Sequence, residues 1–116
     1  MRVAIVGSRN CKSFRIEQIL DNLPQGCSQI ISGGADGVDS YAEKAARELG
    51  IPFVCIAPDY QKYGKNAPFV RNRMIVQAAD LVLAFWDYYS RGTAHTIAAC
   101  IEKGISVRIF EIEISP

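Results

Sequence analysis

The stretch Gln29-Ile30-Ile31-Ser32-Gly33-Gly34-Ala35-Asp36-Gly37-Val38-Asp39 decides the fold. Gln29 to Ser32 reads as a short strand, closed by Gly33-Gly34. Asp36 stands as N-cap of the helix that follows, with Asp39 three residues on. Val38, Ala42, Ala45, Ala46 and Leu49 then make a narrow apolar stripe, and Gly50 is the C-terminal stop. Alanines on that stripe imply close approach to a sheet. Strand, glycine turn and helix in this order form half of a parallel crossover unit.

The pattern repeats outward in both directions. Arg2 to Val6, ended by Gly7, is a β-branched run that reads as a strand. A helix starts at Ser13, with Ile16, Ile19, Leu20 and Leu23 at helical spacing, and Pro24 and Gly26 stop it. Pro52 to Ala57 is a third strand. Pro58 to Asn66, rich in Tyr, Lys and Gly, is a loop of the length that is often functional. Pro68 fits the first turn of a helix running to Ala79. Leu81 to Trp86 is apolar on both faces and belongs in the sheet centre. Arg91 to Lys103 is a helix with Ala94, Ile97, Ala98 and Ile101 inward, ended by Gly104. Val107 to Ile114 closes the chain as an edge strand, charged at Arg108, Glu111 and Glu113. Right-handed crossovers turn this alternation into the α/β class. The predicted fold is a Rossmann-like three-layer α/β/α sandwich with a five-stranded parallel sheet, one domain spanning 1–116.

Composition narrows the function. A chain of 116 residues, 49% apolar and 22% charged, has the make-up of one globular core. Thirteen Lys and Arg against twelve Asp and Glu leave +1, which disfavours DNA wrapping but leaves room for a local basic patch. No apolar run approaches the about 20 residues of a membrane span, and Gly7-Ser8-Arg9 cuts short any signal-peptide core. The expectation is a cytoplasmic protein without membrane contact. Cys11, Cys27, Cys55 and Cys100 are far apart, with no CxxC and no neighbouring His cluster. Neither zinc nor a disulfide framework is expected, nor any other cofactor. Cys55 and Cys100 read as small buried hydrophobes, and Cys11, between Arg9 and Lys12 in sequence, as an inert thiol.

Ligands of such sheets bind at the carboxyl ends of the strands. That rule selects Gly7-Ser8-Arg9, Ser32 to Gly37, the Asp59 to Asn66 loop and Asp87 to Thr93. Gly33, Gly34 and Gly37 admit close approach of a ligand to backbone, and equally suit a tight turn. Asp36 and Asp39 read first as helix caps. Ser90-Arg91-Gly92-Thr93 is a second small, hydroxylated helix start suited to phosphate or ribose, with Ser90 again a cap. Arg71 shares a helix face with Met74, Ile75 and Ala78, so its guanidinium needs a partner. A bound anion and a salt bridge to Asp59 are the two choices, while Asn72 and Arg73 point elsewhere. Asp87 and Asp59 are the candidate general acid or base, ahead of His95, the one histidine. Asp80 precedes its strand and belongs to the opposite rim. Trp86, Tyr88 and Tyr89 suit base stacking, a core edge or a subunit contact.

These segments, taken in order along nearly the whole chain, resemble the SLOG superfamily, which groups the DNA-processing protein Smf with the Lonely-guy phosphoribohydrolases. The small YspA-related branch, a domain of unknown function, is the most similar. The resemblance implies nucleotide or nucleotide-derivative binding, as a sensor or sequestering domain, at the C-terminal rim of the sheet. It carries ligand contacts onto Gly7, Ser8, Arg9, Gly33, Gly34, Arg71, Asn72, Gly92 and Thr93, with Ser32, Asp36 and Arg91 beside them. It also implies a homodimer or higher homo-oligomer. Two alternatives come with it. One is a phosphoribohydrolase-like hydrolase cleaving the N-glycosidic bond of a nucleoside 5′-monophosphate, which needs a carboxylate at the rim, with Asp87, Asp59 or Asp39 as the available choices. Against it, Tyr89-Ser90-Arg91-Gly92-Thr93 lacks a glycine of the Lonely-guy motif PGGxGTxxE, and Thr96 stands where its Glu would fall. The other is single-stranded DNA binding of the Smf type, which needs Lys62, Lys65, Arg71, Arg73 and Arg91 in one groove.

Overall fold

The structure is a computed structural model and describes residues 1–9, 11 and 13–113. Strands β1 (Arg2–Gly7), β2 (Gln29–Ser32), β3 (Phe53–Cys55), β4 (Leu81–Trp86) and β5 (Ser106–Glu111) form one parallel sheet of order β3-β2-β1-β4-β5. Helices α1 (Ile16–Leu20), α2 (Val38–Leu49), α3 (Tyr60–Tyr63), α4 (Ala67–Ala78) and α5 (Arg91–Lys103) connect them, with a 3-10 turn at Gly64–Asn66. The predicted α/β/α sandwich is the observed one.

Strand alternation sorts the core into two layers. Val3 and Ile5 of β1 face α1 and α2, in a cluster with Phe14, Ile19, Ile30, Val38, Ala42, Ala45 and Phe85. Ala4 and Val6 face the other way, onto Ile75 and Val76 of α4 and Ile97 and Cys100 of α5. β1 pairs with both β2 and β4, so it is the central strand. The chain builds outward from β1 to β3, then crosses to β4. The switch point therefore lies between the ends of β1 and β4, where a crevice opens.

Several elements differ from the sequence reading. α1 begins at Ile16 rather than Ser13, because Phe14 closes a turn onto the Cys11 carbonyl (2.9 Å) and Arg15 donates its N–H to the Gln18 side chain (2.9 Å). Gly37, not Asp36, is the N-cap of α2. Its φ of +78° suits glycine, and a Cβ there would sit 2.6 Å from the Ser8 and Arg9 backbone. The Pro58–Asn66 loop contains α3, capped by Asp59, whose carboxylate accepts from Lys62 N–H (3.1 Å). α4 spans Ala67–Ala78. β3 and β5 are shorter than predicted, and Ile114 lies outside the described residues.

α5 turns a different face inward. Thr93, Thr96, Ile97, Ala99 and Cys100 are buried, whereas Ala98 is exposed and Ile101 is 72% exposed. The helix packs against both the sheet and α4, which favours small residues such as Thr93, Thr96, Ala99 and Cys100 on the inward face. Cys55 is exposed, because β3 is a short edge strand, while Cys100 is fully buried and its thiol is pushed up to about 11 by burial. Asp80 is at the opposite rim, as expected, accepting from the Arg2 N–H at 2.7 Å.

Candidate functional site

A cleft of about 420 Å³ occupies the crevice at the switch point, within the range of small-molecule sites. β1 ends in Gly7, which forms one wall together with Ser8 and Arg9 just after it. Gly33, Ala35 and Asp39 come from the β2–α2 turn, Phe69, Arg71 and Asn72 from α4, and Asp87 and Ser90 to Thr93 from the β4–α5 connection. Of the residues singled out in the sequence, Gly7, Ser8, Arg9, Gly33, Arg71, Asn72, Arg91, Gly92, Thr93 and Asp87 are brought together here. Ser32, Gly34, Asp36 and Asp59 do not line it. Ser32 is buried behind the turn, and Gly34, Asp36 and Asp59 are exposed to solvent.

The two helix starts differ in what they leave open. The Val38 N–H at the start of α2 is taken by the Ser8 carbonyl (3.3 Å), and Asp39 occupies the first turn. The start of α5 has no acidic residue in its first turn, and Ser90 caps it through Thr93 N–H (3.4 Å). Its leading N–H groups and the helix dipole favour an anion. Arg9, Arg71 and Arg91 line the same cleft, against Asp39 and Asp87.

Arg71 does not pair with Asp59. Its Nη1 donates to the Gly33 carbonyl (2.9 Å) and its Nε to Asn72 Oδ1 (2.9 Å). Asn72 does not point elsewhere on the helix: it is 6% exposed, and its Nδ2 lies 3.5 Å from the Gly92 carbonyl and 3.3 Å from His95 Nδ1. These two side chains tie the β2–α2 turn to the start of α5. The His95 ring is half-buried against Phe69, with centroids 4.8 Å apart. Burial first, then the charge of Arg73, holds its pKa below the ordinary value against a smaller opposing effect of Glu102.

The carboxylates have separate fates. Asp87 Oδ1 accepts the N–H groups of Tyr89 and Ser90, both at 2.8 Å, and the Asp87 N–H donates to Ser8 Oγ (3.2 Å). Burial alone would raise its pKa, but the Ser90 and Tyr89 N–H groups and the Ser8 hydroxyl outweigh it and hold it below the usual carboxylate value. Asp87 is thus an ionised acceptor that shapes the loop. Asp39 is 7% exposed and lines the cleft. Its Oδ2 accepts from Ala35 N–H (3.1 Å). Burial pushes its pKa up to about 6, against the lowering effects of that N–H, the Arg71 charge, the Ser32 hydroxyl and the Gly33 N–H. Cys11 is buried, and desolvation, then the Asp39 charge, raise its thiol.

Sequence reasoning ranks Asp39 as a cap and passes over Phe69, Pro68 and Thr96 as cleft residues. Trp86, Tyr88 and Tyr89 are not among the lining residues. Tyr88 has a left-handed φ of +66° and packs on Trp86, whose Nε1 donates to the Ser90 carbonyl (3.0 Å). Phe69 is the aromatic that reaches the cleft. Among the described residues, no three His, Cys, Asp or Glu side chains gather as a metal site, and no helix is long and apolar enough to cross a membrane.

Comparisons with known proteins agree with this architecture. A family model described as "YspA, cpYpsA-related SLOG family" matches residues 1–63. DNA processing protein A from Streptococcus pneumoniae superposes with a TM-score of 0.76 at 22% identity, covering 93% of this chain and 49% of that one. DNA processing protein A from Helicobacter pylori, which binds single-stranded DNA, gives 0.74 at 19% identity over 94% of this chain and 64% of its own. The structural-genomics target TM1055 gives 0.66 at 23% identity, over 91% and 71%. The chain thus spans less than two thirds of either DNA processing protein. At these identities the likeness establishes the fold. No curated protein matches.

Proposed function

The chain belongs to the YspA, cpYpsA-related SLOG family, and from that premise we propose that its cleft binds a nucleotide or nucleotide derivative, phosphate toward the start of α5. One observation carries the reading. The α5 start opens into a cleft lined by Arg9, Arg71 and Arg91, whereas the α2 start is filled by the Ser8 carbonyl and Asp39. Backbone N–H groups in a helix turn that holds no acid, and guanidinium groups within the same cleft, are the chemistry of phosphate recognition; Asp87, just before that turn, is engaged by the Tyr89 and Ser90 N–H groups.

Binding rather than turnover is the better-supported activity. Asp87 is committed to two backbone N–H groups, Asp59 caps α3 outside the cleft, and Asp39, the carboxylate that remains in the cleft, is held to the β2–α2 turn by the Ala35 N–H. A polynucleotide groove is less well supported, since of Lys62, Lys65, Arg71, Arg73 and Arg91 only Arg71 and Arg91 line the cleft. A homodimer belongs to the same reading, with Tyr88 and Tyr89 exposed beside the cleft as its contact.

A thermal-shift panel of AMP, ATP, ADP-ribose, NAD and cyclic dinucleotides tests the proposal. Ligand at about 100 times its dissociation constant adds about 2.7 kcal/mol. The shift should vanish in Arg71→Ala. No shift from any compound, together with salt-sensitive binding of a single-stranded oligonucleotide, would replace this reading with the DNA-binding one.

A further inference from the structure

We propose that the floor of the cleft around Asp39 receives the hydroxyls of a sugar, so that Asp39 selects ribose over deoxyribose. This rests on the phosphate reading above and adds the class of sugar.

Asp39 is nine-tenths buried, yet it faces the cleft. The Ala35 N–H engages its Oδ2, at 3.1 Å, and the Ser32 hydroxyl and Gly33 N–H act on the carboxylate as further donors. A carboxylate offers about four acceptor positions on two oxygens, so these three partners leave about one, on a side chain that lines the cleft. A phosphate cannot take it, because like charges repel. A hydroxyl can: an O–H donor to a carboxylate makes a short, charge-assisted bond. The neighbouring lining groups do not compete for the same ligand atoms. Gly33 and Ala35 bring no side-chain donor, and Arg71 directs Nη1 at the Gly33 carbonyl and Nε at Asn72.

The cleft is therefore polarised. Its α5 side has Arg91, Gly92 and Thr93, with the Asp87 carboxylate engaged by the Tyr89 and Ser90 N–H groups, and its β2–α2 side has Asp39, with the Arg71 guanidinium on the Gly33 carbonyl. β2 and β4 flank β1, so the strand ends that carry these two sides stand about 10 Å apart, two strand spacings. A ligand with an anion at one end and vicinal hydroxyls at the other satisfies both sides. A 2′-deoxy ligand leaves a buried acceptor unpaired, which is the arrangement that discriminates strongly against an analogue lacking its hydroxyl.

Isothermal titration with ribose 5-phosphate, 2-deoxyribose 5-phosphate, AMP and 2′-deoxy-AMP tests this, on the wild type and on Asp39→Asn. The carboxamide still accepts the Ala35 N–H, so the turn is retained. Each ribo compound should bind at least about tenfold more tightly than its deoxy partner, and the ratio should fall toward one in Asp39→Asn. Equal affinity for ribo and deoxy forms in the wild type would overturn the sugar assignment and leave the phosphate site standing. Discrimination that survives in Asp39→Asn would overturn the role of Asp39. Loss of binding to all four compounds would take down the phosphate reading and this one with it.

Discussion

Replacing Asp39 by asparagine should stabilise the protein at pH 8 and leave it little changed at pH 4. Burial raises the folded pKa of Asp39 to about 6, from an ordinary value of 3.8. Between these values the folded state holds a proton that the unfolded state has released, so stability falls as pH rises. The contribution is intact below the ordinary value and lost on passing through about 6. A gap of about two pH units, at 1.36 kcal/mol each, amounts to about 3 kcal/mol. The substituted carboxamide carries no charge to bury and keeps the acceptor for Ala35 N–H. For a domain of this size about 3 kcal/mol corresponds to roughly 10 °C in Tm. The assay is thermal unfolding of both proteins at half-unit steps from pH 4 to pH 8.5. The difference, Asp39→Asn minus wild type, should grow from a small value, pass half-way at about pH 5 between the two pKa values, and level off above about pH 6. A flat difference, or a less stable variant at pH 8, would show that Arg71 stabilises the ionised carboxylate more than burial penalises it, and the reasoning would fail.

Three further outcomes follow from the contacts. Gly33→Ala would place a Cβ 2.6 Å from Arg71 Nη1. The flexible guanidinium should leave the Gly33 carbonyl, costing about 1 kcal/mol for one hydrogen bond and at least about tenfold in nucleotide affinity by titration. Gly7→Ala meets the Phe85 carbonyl at 2.6 Å and Val38 at 2.7 Å, neither of which is a free side-chain end. Urea unfolding should register a loss of about 2–3 kcal/mol from overpacking. Cys55 is exposed, Cys11 and Cys100 are buried, and Cys27 is part-buried with its thiol raised by burial, so a colorimetric thiol reagent should find one fast-reacting thiol in the native protein, and Cys55→Ser should abolish that phase.

The legible parts of this chain are those where local and tertiary preferences agree. β1, β2 and β4 are buried apolar runs stopped by glycine or by a polar rim, and α2 has one dominant stripe and a glycine terminus. α5 is ambiguous in sequence, because Ala94-Ile97-Ala98-Ile101 and Thr93-Thr96-Ile97-Cys100 both fit a helical period. Hydropathy ranks the first higher, whereas a tight seat beside α4 takes the second. Thr96 makes that seat tolerable by returning its hydroxyl to the Gly92 carbonyl (3.1 Å). The cleft walls at β1, α4 and α5 follow from the rule for strand ends. Asp39 does not, because an acid in the first turn of a helix reads as a cap whether or not its other oxygen faces a cavity. Asn72 is hidden by its neighbour: consecutive residues on a helix point about 100° apart, yet Arg71 folds back so that Nε reaches Asn72 Oδ1.

That fold-back makes Asn72 a mechanical joint. Through Arg71 it grips the glycine turn after β2, and through its amide it approaches the carbonyl of Gly92. A ligand that draws the guanidinium away from Gly33 also disturbs the Asn72 amide beside α5, so the two halves of the cleft are coupled through one side chain. In a double-mutant cycle, Gly33→Ala and Asn72→Ala should then be strongly non-additive for binding, although the two positions are 39 residues apart in the chain.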